Sequence, residues 1–102
     1  MTNESIILDT NALVFFITDT GGEKGSKVAA MICEKLCLTP VEVIAEAVYV
    51  LRDKYKYTRR EISERLKDFI KLRDELVPET NVVLYGLNLY DSSKLDFVDC
   101  LL

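Results

Sequence analysis

The stretch Ser5-Ile6-Ile7-Leu8-Asp9-Thr10-Asn11-Ala12-Leu13 constrains this chain most. An aliphatic run, with no polar residue to alternate against, leads straight into a carboxylate. Such a run suits a strand buried on both faces, as in a parallel sheet, although periodicity alone leaves a helix open. Asp9 then stands where the strand emerges, and in open α/β sheets the ligand crevice lies outside the carboxyl ends of the strands. Asp9-Thr10-Asn11 also reads as a helix start, because each of these side chains can accept from the orphan N–H groups of a first turn. A plain N-cap and a functional acid are both open for Asp9.

At 102 residues the chain is one domain, long enough to bury a core. With 49% hydrophobic and 29% charged residues it is globular rather than disordered. Met1-Thr2-Asn3-Glu4 is polar and acidic, and the apolar run after it is too short for a signal peptide. No stretch approaches the roughly 20 apolar residues of a membrane helix. These features predict a soluble, cytoplasmic protein. Three cysteines (Cys33, Cys37, Cys100) and no histidine indicate neither a disulfide framework nor a His/Cys zinc site. Cys33 and Cys37, four apart in a helical pattern, read as free buried thiols. The formal net charge of −4 argues against general electrostatic binding to nucleic acid. It leaves room for a nucleic-acid enzyme whose carboxylates gather around a metal. Without histidine there is no Ser-His-Asp triad and no imidazole proton shuttle, so hydrolytic chemistry falls to carboxylates and a metal.

Leu13, Phe16 and Ile17 predict a short helix over Thr10 to Ile17, ended by Asp19-Thr20-Gly21-Gly22. A second helix is expected over Glu23 to Leu36, then an extended Cys37-Leu38-Thr39. Pro40 opens the next helix, running to about Tyr55. Val41, Val43, Ile44, Ala45, Ala47, Val48, Tyr49, Val50 and Leu51 surround that helix with apolar surface, so burial on all sides is expected. Only Glu42 and Glu46 interrupt it before Arg52, on one narrow face. Glu42 suits the dipole of a first turn. Glu46 on a buried helix needs a cation or a special partner, and both a salt bridge and a metal remain open.

Thr58-Arg59-Arg60-Glu61 is a capping box, opening a helix with Ile62, Leu66, Phe69 and Ile70 on one face. Arg52, Lys54, Lys56, Arg59 and Arg60, with only Asp53 against them, form the one basic cluster. It reads as a solvated helix junction or as a contact for a phosphate backbone with tyrosines stacking on bases. Glu75-Leu76-Val77 reads as a short strand, and Glu79 to Tyr90 as a helix containing Gly86. After the loop Asp91-Ser92-Ser93-Lys94, the segment Leu95 to Leu102 begins an apolar element that carries Asp96 and Asp99.

Asp9, Glu46 and Asp99 thus stand in apolar surroundings. Together they form a set of hard oxygen ligands suited to Mg²⁺ or Mn²⁺. Converging carboxylates repel unless a divalent ion joins them, and that ion can activate water and neutralise a phosphodiester transition state.

On these motifs the sequence resembles the PIN-domain ribonucleases, in particular VapC-type toxins of toxin–antitoxin pairs. Ile7-Leu8-Asp9-Thr10-Asn11-Ala12-Leu13 is similar to the family's opening strand with its first catalytic aspartate. Thr39-Pro40-Val41-Glu42-Val43-Ile44-Ala45-Glu46 is similar to its proline-started helix, whose glutamate follows the proline by six positions. Leu95-Asp96-Phe97-Val98-Asp99-Cys100-Leu101 resembles the segment bearing the third acid, which falls on Asp99.

The resemblance implies a single domain over 1–102 with a PIN-like three-layer α/β/α fold and a short parallel sheet. Family members continue into a Thr-x-Asp strand and a final strand, so it also implies a C-terminally incomplete fold. The implied activity is a Mg²⁺- or Mn²⁺-dependent endoribonuclease with Asp9, Glu46 and Asp99 as catalytic residues and metal ligands. Asn11 and Asp96 are accessory candidates. RNA is the implied substrate, an antitoxin the implied partner, and a homodimer a further possibility. The alternative is a catalytically impaired remnant that acts only as an antitoxin-binding module. A haloacid-dehalogenase-type phosphatase is disfavoured, because its motif requires a second aspartate where Asn11 stands.

Overall fold

The computed structural model describes residues 6–18, 37–72 and 77–101. Strand β1 (Ile6–Ile7) pairs in parallel with β2 (Cys37–Leu38), and the Leu8 N–H continues the pairing to the Leu38 carbonyl at 2.8 Å. Asp9 then starts helix α1 (Thr10–Thr18). Its carbonyl accepts from Leu13 N–H at 3.1 Å, and its Oδ1 accepts from Ala12 N–H at 2.7 Å, which is an N-cap bond. The helical spacing buries Leu13, Val14 and Ile17.

Helix α2 (Val41–Asp53) follows Pro40, which stands at the N-cap with φ −63° and passes its carbonyl to Val43 and Ile44. Ile44, Ala47, Val48 and Leu51 make its core face. Helix α3 (Arg59–Leu72) opens on the expected capping box. Thr58 Oγ1 accepts from Glu61 N–H at 3.1 Å, and Glu61 Oε1 accepts from Thr58 N–H at 2.9 Å. Helix α4 (Thr80–Ser92) and the short α5 (Phe97–Cys100) complete the described chain.

The three-layer α/β/α arrangement with a parallel sheet, expected from the sequence, is not what these residues form. Among the described residues extended pairing is confined to one ladder of two residues per strand, too short to make a layer, and the rest of their regular structure is helical. Ile7 shows why the reading fails: it is 65% exposed while Leu8 is buried, so the aliphatic run is not covered on both faces. The core is built helix on helix instead.

The most extensive packing is between α3 and α4. There Ser63 Oγ donates to the Leu87 carbonyl at 3.1 Å in the interior, and Lys67 Nζ reaches Asn88 Oδ1. Phe69 of α3 meets Phe16 of α1 edge-on at 5.7 Å, and Arg65 donates to the Ile17 carbonyl in the last turn of α1. Gly86 lets α5 lie on α4, since a Cβ there would stand 2.8 Å from Leu101 Cδ2 and 3.5 Å from Phe97 Cε1.

Two further expectations change. Helix α2 is not buried all round: Glu42 and Glu46 are exposed, and Val41, Val43, Ala45 and Val50 are only partly covered. Val77 lies in a bend rather than a strand, with 75 and 76 outside the described residues. The helix expected over Glu23–Leu36, the turn at 19–22 and the thiols of Cys33 and Cys37 also lie outside the description. Cys100 is a buried free thiol.

Candidate active site

The carboxyl end of β1 and the first turn of α1 form a corner against α2. Thr10 Oγ1 donates to Glu46 Oε2 at 2.9 Å, which holds the Glu46 carboxylate beside the residue that follows Asp9. Asp9 commits one oxygen to capping α1 and has no other hydrogen bond among the described residues. The N-cap and the acid at a strand end are therefore one residue in two roles that do not compete. Asn11 is exposed one residue beyond Thr10.

The surroundings of these acids differ from those inferred by pattern. Asp9, Glu46 and Asp99 are all exposed, so water can solvate each carboxylate and burial does not force a cation on Glu46. Among the described residues no lysine or arginine lies within 4.0 Å of Glu46, so the salt-bridge alternative is not what holds it. Its partner is Thr10, a residue the sequence reading used only as a capping candidate. The available signal was a hydroxyl at the first helical position directly after a strand-end acid.

Asp99 sits on α5, which packs on α4 and also touches α2. Among the described residues no three or more His, Cys, Asp or Glu side chains gather closely enough to hold a metal ion. The Thr10–Glu46 bond ties Glu46 to the Asp9 corner, and among the described residues Asp99 makes no hydrogen bond or ion pair to that corner. Mg²⁺ keeps several waters and binds through one or two carboxylates, so the Asp9–Glu46 corner fits such an ion. A cage of three protein carboxylates does not fit.

The basic cluster is largely spent within the fold. Arg52 binds Asp53 at 2.7 Å and Asp96 at 3.5 Å, and its guanidinium lies 5.1 Å from the Tyr49 ring centroid. Its hydrogen bond holds Asp53 below the usual carboxylate range, and Asp53 in turn raises Arg52. Arg59 donates to the Tyr90 and Leu95 carbonyls at 3.0 and 2.6 Å and stacks 4.3 Å from the Tyr90 ring centroid. Arg60 pairs with Glu64 at 3.1 Å. Lys54 faces the Tyr55 ring at 5.9 Å, and Lys56, exposed, takes φ 60° in the turn between α2 and α3. Asp96 spends its carboxylate on Arg52 and makes no side-chain capping bond to α5.

Asp9 and Glu46 present hard oxygen donors at a strand-to-helix corner, and the chain has no histidine. The chain belongs to the PIN domain family, whose family model matches residues 6–102. PIN domains are in general nucleases that act on RNA and typically use divalent metals. No curated protein and no solved structure matches the chain. Among the described residues no helix is long and apolar enough to cross a membrane.

Proposed function

We propose that this protein is a Mg²⁺- or Mn²⁺-dependent endoribonuclease, the VapC-type toxin of a type II toxin–antitoxin pair. In this reading it works in the cytoplasm as a single domain, pairs as a homodimer and is held inactive by a cognate antitoxin. The observation that carries the reading is the Thr10–Glu46 hydrogen bond, which fastens a glutamate from α2 to the corner headed by Asp9. Asp9 and Glu46 hold the ion directly or through waters, and Asp99 from α5 is the third acid of the site, acting through water rather than as a direct ligand. Asn11 and Asp96 are accessory polar groups at the two ends of the site.

A bound divalent ion supplies an acidified water and neutralises charge on the phosphate oxygens. The chain contributes preorganisation. The N-cap bond from Ala12 fixes the Asp9 side chain, and Thr10 fixes that of Glu46, so neither carboxylate must be ordered when the substrate arrives.

Cleavage of a structured RNA should require Mg²⁺ or Mn²⁺, and Asp9→Asn should abolish it while leaving the fold, because asparagine caps a helix as well as aspartate does. Full activity in excess EDTA would end this reading. A second reading, a non-catalytic antitoxin-binding module, is favoured by the absence of a three-carboxylate group among the described residues. Antitoxin binding without metal-dependent cleavage would decide for it.

A further inference from the structure

The turn Lys54–Tyr57, between α2 and α3, gathers cations around two aromatic rings. Tyr55 and Tyr57 meet edge-on at 6.4 Å and 71°, each half-buried against the core. Lys54 Nζ stands 5.9 Å from the Tyr55 ring centroid, and the Arg65 guanidinium stands 5.7 Å from that of Tyr57. The backbone holds both rings in place: Tyr55 N–H donates to the Val50 carbonyl at 3.3 Å and Tyr57 N–H to the Leu51 carbonyl at 2.9 Å. Asp53 gives both carboxylate oxygens to Arg52, so Lys56 acts on it without closing an ion pair, as Arg65 does on Glu61. Among the described residues Lys54, Lys56 and Arg65 make no ion pair within 4.0 Å, and all three are exposed.

Lys56 adds an independent observation. Its φ of 60° lies in the left-handed region, where an L side chain is crowded and glycine or asparagine is favoured. The turn thus carries a cation where its backbone prefers another residue, and strain kept at such a position points to use of the side chain. These groups stand at the ends of α1 and α2 away from the Asp9–Glu46 corner. Lys54 is about 12 Å along the α2 axis from Glu46, and Arg65 is fastened at 3.2 Å to the Ile17 carbonyl in the last turn of α1.

We propose that Lys54–Tyr57 with Arg65 is a contact for single-stranded RNA outside the cleavage corner: Lys54, Lys56 and Arg65 take phosphates, and Tyr55 and Tyr57 take unstacked bases. RNA as the partner rests on the ribonuclease reading above, and the ion at the corner plays no part in the contact. A base offers its face to a ring only after leaving its own stack, and a duplex hides those faces, so rings set among cations select a single strand. The net charge of −4 leaves no broad basic surface, so the contact is local, with one phosphate for each of the three cations. At about −0.7 per phosphate for a single strand, log K should fall against log salt with a slope of about −2.

The test is fluorescence anisotropy of the full chain with a labelled oligouridine of about 12 nucleotides, free and annealed to its complement, in EDTA to take the ion out of the measurement. Wild type should bind the single strand about fivefold more tightly than the duplex, or better. Asparagine adopts the backbone of residue 56 readily, so Lys56→Asn should melt with wild type while binding weakens and the salt slope shrinks by about 0.7. Tyr55→Leu should weaken binding about fivefold or more and leave the slope alone. Should Lys56→Asn not fold, Lys54→Gln, in ordinary helical backbone at the end of α2, carries the same expectation. Unchanged affinity in a folded lysine variant, or equal binding of the duplex, overturns the proposal. So does displacement of the RNA by polyglutamate at equal charge concentration, which would mark an acidic protein as the partner. No binding by a wild type that cleaves RNA in Mg²⁺ overturns the contact and leaves the ribonuclease reading standing. Binding as expected without cleavage keeps the contact and removes that reading.

Discussion

Tyr90 is fully buried near the end of α4, and among the described residues its Oη has no partner in good hydrogen-bonding geometry, the Arg52 guanidinium being the one donor that approaches it. A buried hydroxyl without a partner loses its hydration, at a cost of about 1–3 kcal/mol. Tyr90→Phe removes that cost and keeps the ring, so the Arg59 stacking at 4.3 Å and the Phe97 edge contact survive. Two smaller effects oppose the gain. The missing oxygen leaves a void of roughly 10 Å³, about 0.2 kcal/mol at 24 cal/mol per Å³, and a phenyl ring attracts the guanidinium less well by a few tenths of a kcal/mol, roughly. The expected net is a stabilisation of about 1 kcal/mol, equivalent to a Tm rise of roughly 4–8 °C or a urea midpoint higher by about 0.5 M.

The pH dependence supplies a second, independent reading of the same group. Burial pushes the Tyr90 phenol above its ordinary value of 10.0, with Arg59 and Arg52 pulling it part of the way back. A raised phenol contributes stability that is fully present below the unfolded value and is lost as pH rises through the folded one. The advantage of the phenylalanine variant should therefore widen above pH 10, because every other tyrosine is common to both proteins. Urea melts of the pair at pH 8 and pH 11 measure both effects. A variant less stable than wild type by 1 kcal/mol or more, or a gap that does not change with pH, would show that the hydroxyl is bonded in solution and refute the argument.

The capping box titrates in the opposite sense. Glu61 is held below its ordinary value of 4.5, chiefly by the Thr58 backbone N–H it accepts, so wild type should outlast Glu61→Ala in urea above pH 4.5 and lose that advantage as pH falls through the folded value. Thr58→Ala should cost about 1 kcal/mol at neutral pH, and no measurable loss would mean the box does not form. At Gly86 the neighbour of an added Cβ is the tip of the Leu101 side chain. Gly86→Ala should thus be accommodated within about 1 kcal/mol, whereas Gly86→Leu should cost about 1–3 kcal/mol by lifting α5, and equal melts for the two would contradict that packing. Ile7→Lys should change stability by no more than about 0.5 kcal/mol, since Ile7 faces solvent; a loss of several kcal/mol would restore the expectation of a strand covered on both faces.

What the sequence settled alone was local. The capping box at Thr58–Glu61, the cap at Asp9, the apolar face of α3 and the near-complete span of α4 each depend on residues three or four apart. Backbone geometry fixes their relation before any tertiary contact forms. The sheet was not settled, because an aliphatic run states only that apolar surface needs cover and not from which side it comes: Leu8 found cover and Ile7 did not. The burial expected around Glu46 failed for the same reason, since an apolar composition around a helix does not say which face the neighbours occupy. Its hydroxyl partner stands 36 residues away in the chain, and the two carbonyls that Arg59 clamps lie 31 and 36 residues from it. Contacts of that separation leave no periodic trace in sequence, and only the packing of α1 on α2 and of α3 on α4 brings their partners within hydrogen-bonding reach.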